Sequence, residues 1–257
     1  MALDDKYVLL MDQNYLIAMG LLMSNSVAGE FYDSYRFGIF HSGVAMQDFN
    51  VVFIKRKSSN PKKLCDQWEH FFTDRNLPFR VVVTPNLADD YLSVLLDRGY
   101  KKIDPLPVMA LFNMPDRLTP RPDLVIKEVR NPKDLGHFQE TAARGFSLPE
   151  GSGPFVITDQ IMNWADCSMF VGYCEDQPVC TSMLIKTGPV AGVYWVSTIA
   201  GYRERGFGRA VTEWAVLEGK NKNCNFACLQ ASKMGKPIYE KIGFDNSYHY
   251  SVFSAPS

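Results

Sequence analysis

A short segment of this sequence combines glycine and arginine in a pattern that suits an anionic ligand. The residues Arg203-Glu-Arg-Gly-Phe-Gly208 follow an apolar run and lead into a stretch with helical spacing of apolar residues. Because glycine has no Cβ, Gly206 and Gly208 let the backbone bend tightly and direct several N–H groups at one anion where a helix begins. The arginines of this segment and Arg209 add charge that suits a pyrophosphate. The pattern predicts a phosphate-binding loop, and a basic surface turn is the alternative.

A second segment lies about thirty residues further along and ends in Tyr239-Glu-Lys-Ile-Gly-Phe244. The spacing predicts a strand, a capping Ser232 and a short helix that ends before Gly243. Met234, Ile238 and Ile242 are predicted to form the buried stripe of this helix, which leaves Tyr239 on a neighbouring face. Without the preceding loop, Tyr239 would be interpreted as a core aromatic residue with a satisfied hydroxyl.

Together the two segments resemble the GNAT superfamily of acyl-CoA-dependent N-acyltransferases. The first is similar to the family's Arg/Gln-x-x-Gly-x-Gly/Ala pyrophosphate loop, and the second to its Tyr-x-x-x-Gly-Phe signature, in the order and spacing that the family requires. The resemblance covers residues 124–253. It implies an α/β fold (α+β mixed) in the C-terminal half, with a splayed mixed sheet flanked by helices.

The resemblance also implies where an acyl-CoA would bind. In the family it lies between the fourth and fifth strands of the domain, and the fourth strand pairs with the pantetheine arm and directs a backbone N–H at the thioester oxygen. The position of Ser232 is one where many relatives carry asparagine. The implied contacts are Val196, Ser197, Thr198, Ile199, Ala200, Arg203, Glu204, Arg205, Gly206, Phe207, Gly208, Arg209, Ala210 and Ser232.

The implied reaction is transfer of an acetyl group from acetyl-CoA, the cosubstrate, to an amine that attacks the thioester directly in a ternary complex. Tyr239 would be the general acid for the departing CoA thiolate, because a phenol with a pKa of about 10 is protonated at neutral pH. The general base is open, because residues 191–199 contain no carboxylate. The candidates are a water chain or Glu150, Asp166, Glu175 and His137.

The glycine-rich loop at residues 145–154 occupies the place where relatives put the acceptor-binding segment. Four aromatic residues could line an acceptor pocket, although each could equally belong to the core: Phe146, Trp164, Tyr194 and Trp195. We expect a small-molecule amine as acceptor, and a protein lysine or N-terminus is the alternative. A third reading keeps the fold without the chemistry, as an acyl-CoA-binding sensor or structural protein.

The elements that must position these residues form two halves. Residues 113–123 contain three prolines in eleven residues and almost nothing apolar, which is typical of an exposed connection. We therefore predict an N-terminal domain at residues 1–115 and a catalytic domain at residues 122–257. Strands alternate with helices in both halves, including a helix predicted around residues 155–165.

The first half repeats part of the order of the second and is predicted to be a related, degenerate GNAT-like domain, as in some two-domain bacterial members. Leu96-Asp-Arg-Gly-Tyr100 closes a helix in the way that Glu240-Lys-Ile-Gly-Phe244 does. However, Leu95 stands where the second half has Tyr239, and the loop at residues 57–63 contains no glycine. The active site is therefore expected in the second half.

Composition narrows the remaining possibilities. The 257 residues carry a net charge of −1 and are 46% hydrophobic, which disfavours nucleic-acid binding and indicates a folded protein. The longest apolar run, residues 15–23, is shorter than the ~20 residues that span a bilayer, and the acidic start does not resemble a signal peptide. We therefore expect a cytoplasmic protein. For the oligomeric state we expect a monomer or a homodimer. The six cysteines show no C-x-x-C spacing, so we expect no metal site. A dinucleotide loop is disfavoured because Val211 stands where a third glycine would be needed.

Overall fold

The computed structural model describes residues 4–119 and 121–256. Internal contacts divide the chain into two compact units, which we call unit 1 (Met1–Ala18 with Val108–Ser247) and unit 2 (Met19–Pro107 with Tyr248–Ser257). The predicted domain limits at residues 115 and 122 stay a prediction. Within the described ranges, no helix is long and apolar enough to cross a membrane.

Helices and strands alternate along the chain, and the expected mixed α/β class is confirmed. The first half contains α1 (Asp5–Ser24), β1 (Glu30–Asp33), β2 (Phe37–His41), β3 (Asn50–Ile54), α2 (Pro61–Asp74), β4 (Arg80–Val83), α3 (Ala88–Asp97) and β5 (Lys101–Leu111). The second half contains β6 (Val125–Glu128), α4 (Pro132–Gly145), α5 (Ser152–Val156), β7 (Cys167–Cys174), β8 (Gln177–Thr187), β9 (Val190–Thr198), α6 (Phe207–Asn221), β10 (Phe226–Gln230), α7 (Lys236–Ile242) and β11 (Asp245–Ser254).

Unit 2 is built on strands in the order β1-β2-β3-β4-β11. The strands β3 and β4 are parallel, and their pairing continues to the last residue of each, Ile54 opposite Val83. An aromatic core fills one face of this sheet, where Phe72 and Phe79 stack with ring centroids 4.3 Å apart. The parallel pair in unit 2 is thus closed along its length.

Unit 1 is built on strands in the order β5-β10-β9-β8-β7-β6, of which only β9 and β10 form a parallel pair. Neighbouring residues of a strand point to opposite faces of a sheet. An added Cβ on Gly145 would lie 2.5 Å from Ser197 Oγ, and one on Gly208 would lie 3.2 Å from Thr198 Oγ1. Helices α4 and α6 therefore cover opposite faces of this sheet.

Local signals explain where several helices begin and end. Asn60 and Asn131 cap α2 and α4 by accepting a hydrogen bond from the third residue that follows, and each is followed by proline, which suits the first turn. Helices α3 and α7 end in the same motif, with Gly99 and Gly243 in the left-handed region and a bond from the next residue back across five positions. The predicted likeness of these two endings is therefore confirmed.

Two predicted features are wrong. The helix expected at residues 155–165 is instead the short α5 and a 3-10 turn at Asp159–Asn163, because Ile157 and Thr158, both β-branched, adopt extended backbone between them. The buried stripe predicted for α7 is also wrong. Met234 precedes the helix by two residues and is 67% exposed, whereas Ile238 and Ile242 are half-buried and Tyr239 is the buried residue of the helix.

Candidate functional site

The parallel strands β9 and β10 form a fork in unit 1. Their pairing begins at Val190 opposite Phe226 and ends at Gly192 opposite Cys228. Residues 193–198 of β9 continue beyond this point, while β10 pairs on its other side with β5. Among the described residues, no strand pairs with this edge of β9 beyond Gly192. A strand edge without a neighbouring strand is a place where an extended ligand can be added.

A β-bulge interrupts β9 beyond the last residue that pairs with β10. Thr181 lies opposite Ser197 and Met183 opposite Tyr194, so Trp195 and Val196 together face a single residue of β8. Trp195 adopts φ +50°, an uncommon conformation for a bulky residue, and this turns the local backbone out of the regular ladder.

A fully buried hydroxyl stabilises this bulge. Thr181 Oγ1 donates to the carbonyl oxygen of Trp195 at 2.9 Å and lies 2.8 Å from Ser197 Oγ. We expect Thr181→Val to lower the free energy of unfolding by about 1 kcal/mol, because it removes a hydrogen bond in the buried interior. Chemical denaturation measures this change.

Ser168→Ala is the matched control for that prediction. The Ser168 hydroxyl is equally buried on β7 but has no hydrogen-bond partner in the described structure. Its removal should leave the free energy of unfolding unchanged within about 0.5 kcal/mol. Equal losses in the two variants would contradict a specific role of Thr181 at the bulge.

The glycine- and arginine-containing loop joins β9 to the N-terminus of α6. Gly206 (φ +78°) directly precedes the helix, and Glu204 also has positive φ (+62°). No backbone hydrogen bond is made by the N–H groups of residues 204–209 within the described chain. The start of this 15-residue helix therefore combines N–H donors without a described backbone partner with the positive end of the helix dipole, which suits an anion.

The cations around the loop have different partners. Arg205 lies over the Phe207 ring at 4.7 Å, and Arg209 pairs with Glu213 at 2.8 Å. Arg203 donates from Nε to the carbonyl of Thr198 and from Nη2 to that of Gly145, at 3.1 and 2.9 Å. The Arg203 guanidinium thus links the last residue of β9 to the last residue of α4 through hydrogen bonds.

Arg121, from the proline-rich connection, is a further cation at the loop, and the sequence did not predict it. Its Nη2 donates to the carbonyl of Arg205 at 2.9 Å, and its guanidinium pairs with Asp123. An added Cβ on Gly206 would lie 2.7 Å from Arg121 Nη1. Arg121 is therefore part of the loop in space, although it precedes Gly206 by more than eighty residues in sequence.

Two of the remaining predicted acyl-CoA contacts, Ser232 and Ala200, lie at the surface. Ser232 accepts a hydrogen bond from the Gly235 N–H at 3.1 Å, and Ala200 lies in an exposed 3-10 turn. The Ile199 N–H donates to the carbonyl of Val179 at 3.0 Å. Four side chains pack in or against the core of unit 1: Val196, Ile199, Phe207 and Ala210.

Tyr239 lies on α7 with its side chain in the same core, and 8% of the residue is exposed. The Tyr239 ring lies against Gly235, where an added Cβ would be 2.8 Å from ring atom Cε2. Its hydroxyl makes no hydrogen bond to any described residue. Burial raises the pKa of Tyr239, so the hydroxyl is protonated at neutral pH and remains able to donate to a ligand.

Two of the four predicted acceptor-side aromatics come together. Phe146, 45% exposed, meets Trp195 edge to face with centroids 5.5 Å apart. Tyr194 is buried, and its hydroxyl donates to Asn14 Oδ1 at 2.6 Å. Trp164 is half-buried after the 3-10 turn, and no described ring contact joins it to Phe146.

The candidate bases lie on several elements. Glu150, Asp166 and Glu175 are exposed. His137 on α4 lies with Nδ1 3.0 Å from the hydroxyl of Tyr173. Gln230, which no sequence pattern indicated, ends β10 and carries a buried Nε2 that has no partner among the described residues.

No protein-family model matches this chain, and no curated protein matches it either. Solved structures do match. A GCN5-related N-acetyltransferase from Kribbella flavida has a TM-score of 0.70 at 14% identity, covering 96% of this chain and 95% of that one. Another from Sphaerobacter thermophilus has a TM-score of 0.64 at 13% identity, covering 87% and 81%. A GCN5-related N-acetyltransferase-like protein from Streptococcus suis has 0.56 at 13%, covering 95% and 98%. The chain therefore has the GNAT fold, as its two motifs predicted.

Proposed function

We propose that this protein is an acyl-CoA-dependent N-acyltransferase that moves an acetyl group from acetyl-CoA to an amine. The proposal is supported by three features of unit 1: the fork of β9 and β10, the N–H groups without a described backbone partner at the start of α6, and Tyr239, whose hydroxyl has no described partner. Acetyl-CoA supplies the activated acetyl group. The residues of the chain bind it, orient it and supply a proton.

The edge of β9 beyond the fork binds the pantetheine arm in this proposal. The amide groups of pantetheine pair with main-chain groups of residues 196–198 in the manner of an added strand. The bulge at Trp195 and Val196 turns a backbone N–H toward the thioester oxygen, where it stabilises the negative charge that develops in the transition state.

The loop at residues 203–208 binds the pyrophosphate. Its N–H groups and the helix terminus supply directional donors, while Arg121 and Arg205 supply positive charge on one side. Glycine at 206 allows the positive φ and keeps the approach open, since any Cβ there would meet Arg121. We assign Arg203 a positioning role, because carbonyl groups occupy two of its nitrogens.

Arg121→Ala should weaken acetyl-CoA binding about tenfold, because it removes a cation that the loop holds beside Gly206. Arg117→Ala is the control, since Arg117 is an exposed arginine of the same connection. Calorimetry at low and high salt measures both, and the advantage of wild type over Arg121→Ala should shrink as salt rises. A similar loss in both variants would contradict the assignment of Arg121.

Direct attack by the amine is favoured over a covalent enzyme intermediate. Cys228, the cysteine at the fork, is fully buried, and burial raises the pKa of its thiol, so it remains protonated and a poor nucleophile at neutral pH. We propose Tyr239 as the general acid that protonates the departing CoA thiolate. Phe146 and Trp195 are proposed to border the acceptor, for which we favour a small-molecule amine.

A screen of amines against acetyl-CoA, read by release of free thiol, tests this proposal. Turnover with one class of amine, lost in the Tyr239→Phe variant, would support the enzyme. An acyl-CoA sensor predicts tight acetyl-CoA binding without thiol release for any small amine, peptide lysine or peptide N-terminus. The peptide acceptors in the same screen separate the small-molecule proposal from its protein-acceptor alternative.

A further inference from the structure

Asn14 of α1 lies at the apex of the fork, where β9 and β10 part. The last paired residues are Gly192 and Cys228. Asn14 Oδ1 is 3.7 Å from Cys228 Sγ, and an added Cβ on Gly192 would lie only 2.1 Å from the same oxygen. One buried amide group therefore contacts both strands at the residue pair where their hydrogen bonding ends.

The same amide also holds the first part of β9 that has left β10. Tyr194 lies two residues beyond the last pair, and its hydroxyl donates to Asn14 Oδ1 at 2.6 Å. On its other side, Asn14 Nδ2 donates to the carbonyl of Ile185 at 3.1 Å and to Thr187 Oγ1 at 2.8 Å. With 0% of its surface exposed, Asn14 uses both donors and its acceptor inside unit 1.

Directional bonds of this kind fix positions that apolar packing would leave adjustable. The Tyr194 hydroxyl connects the diverging part of β9 to α1, and the Cys228 thiol connects β10 to the same oxygen. The absence of a Cβ at Gly192 lets the amide approach this closely. The side chain of Asn14 therefore contacts both strands at the point where they separate.

We propose that Asn14, acting through Tyr194, is a positioning residue that sets the opening of the fork and so aligns the pantetheine and thioester end of acyl-CoA. This inference rests on the proposed function. It assigns Tyr194 to the support of the fork and not to the acceptor pocket. The proposed phosphate loop follows the C-terminal end of β9, has its own contacts through Arg121 and Arg203, and does not depend on this network.

The test compares two ligands in the Tyr194→Phe variant, which removes one hydroxyl and keeps the ring. The ligands are acetyl-CoA and 3′-phosphoadenosine 5′-diphosphate, the nucleotide half of CoA, which keeps the pyrophosphate and lacks pantetheine. By calorimetry, Tyr194→Phe should weaken acetyl-CoA about 3- to 10-fold and leave the affinity for the nucleotide within about twofold. The kcat at saturating acetyl-CoA should fall as well, because the thioester is misaligned.

Tyr173→Phe is the matched control. Tyr173 is also buried in unit 1, and the change removes a single hydroxyl, which is hydrogen-bonded to His137. It should change the ratio of the two affinities by less than about twofold. Asn14→Asp, which keeps the shape and removes two donors, is the second variant and should shift the ratio in the same direction as Tyr194→Phe.

The inference is overturned if the ratio of the two affinities is unchanged in Tyr194→Phe and Asn14→Asp. An equal loss of affinity for both ligands is such a result, because a general loss of stability would affect both ligands alike. A wild-type protein that binds neither ligand overturns the proposed function and this inference with it. A wild-type protein that binds both, with variants that retain the ratio, overturns the inference alone.

Discussion

Tyr239→Phe should lower the kcat by about 100-fold or more and leave the Kd for acetyl-CoA within about twofold. The hydroxyl is the only group that this change removes, and no described residue depends on it for a hydrogen bond. Binding is therefore kept, while the departing thiolate loses its proton donor. Steady-state kinetics and calorimetry on the same protein measure the two effects separately.

The pH dependence gives this prediction a second readout. Burial raises the pKa of Tyr239, so the protonated form that donates persists to higher pH than for an ordinary phenol with a pKa of about 10. The kcat should therefore show no fall between pH 7 and about pH 10 that depends on Tyr239. Tyr91→Phe, at a buried tyrosine of unit 2, is the control and should keep the wild-type kcat. A wild-type rate in Tyr239→Phe would favour the sensor or a different acid.

Gly206→Trp should abolish detectable acetyl-CoA binding, with a loss of affinity of about 100-fold or more. Gly206 has φ +78°, and any side chain there enters the space between the helix N-terminus and Arg121. The indole would cover the N–H groups proposed to bind the pyrophosphate. Calorimetric titration measures the loss, and circular dichroism verifies that the variant is folded.

Gly188→Trp is the matched control for bulk and backbone strain. Gly188 also has positive φ (+54°), lies in the turn before β9, and would meet nothing within 4 Å with an added Cβ. Its replacement should cost similar strain energy, about 1–2 kcal/mol, without touching the loop. Equal losses of affinity in the two variants would show that backbone strain, and not blockage of the loop, explains the effect.

Local signals made part of the site predictable from the sequence. Gly206 before a helix and Gly243 after one are the residue types that left-handed backbone favours, and both adopt it. A glycine and an aromatic residue follow both Leu95 and Tyr239 at the same spacing, which identifies the two as equivalent positions. The helices α3 and α7, to which they belong, end in the same hydrogen-bond pattern. Such features depend on residues only a few positions apart.

The residues that were missed act over long distances in sequence. Asn14 contacts Tyr194 and Cys228 across 180 and 214 positions. Arg121 contacts Arg205 across 84 positions, from a segment whose composition indicated only an exposed connection. The left-handed conformation of Trp195 had no signal in its residue type, because the bulge depends on a hydroxyl of the neighbouring strand. These contacts and the Trp195 conformation depend on tertiary structure, so the spacing of residues along the chain does not predict them.

The proposed function is tested first by a calorimetric titration of the wild-type protein with acetyl-CoA, compared with NAD under the same conditions. We expect saturable binding of acetyl-CoA with a Kd of about 1–100 μM and no binding of NAD. Failure of acetyl-CoA and of longer acyl-CoAs to bind would contradict it, and the loop at residues 203–208 would then be an ordinary basic turn before a helix.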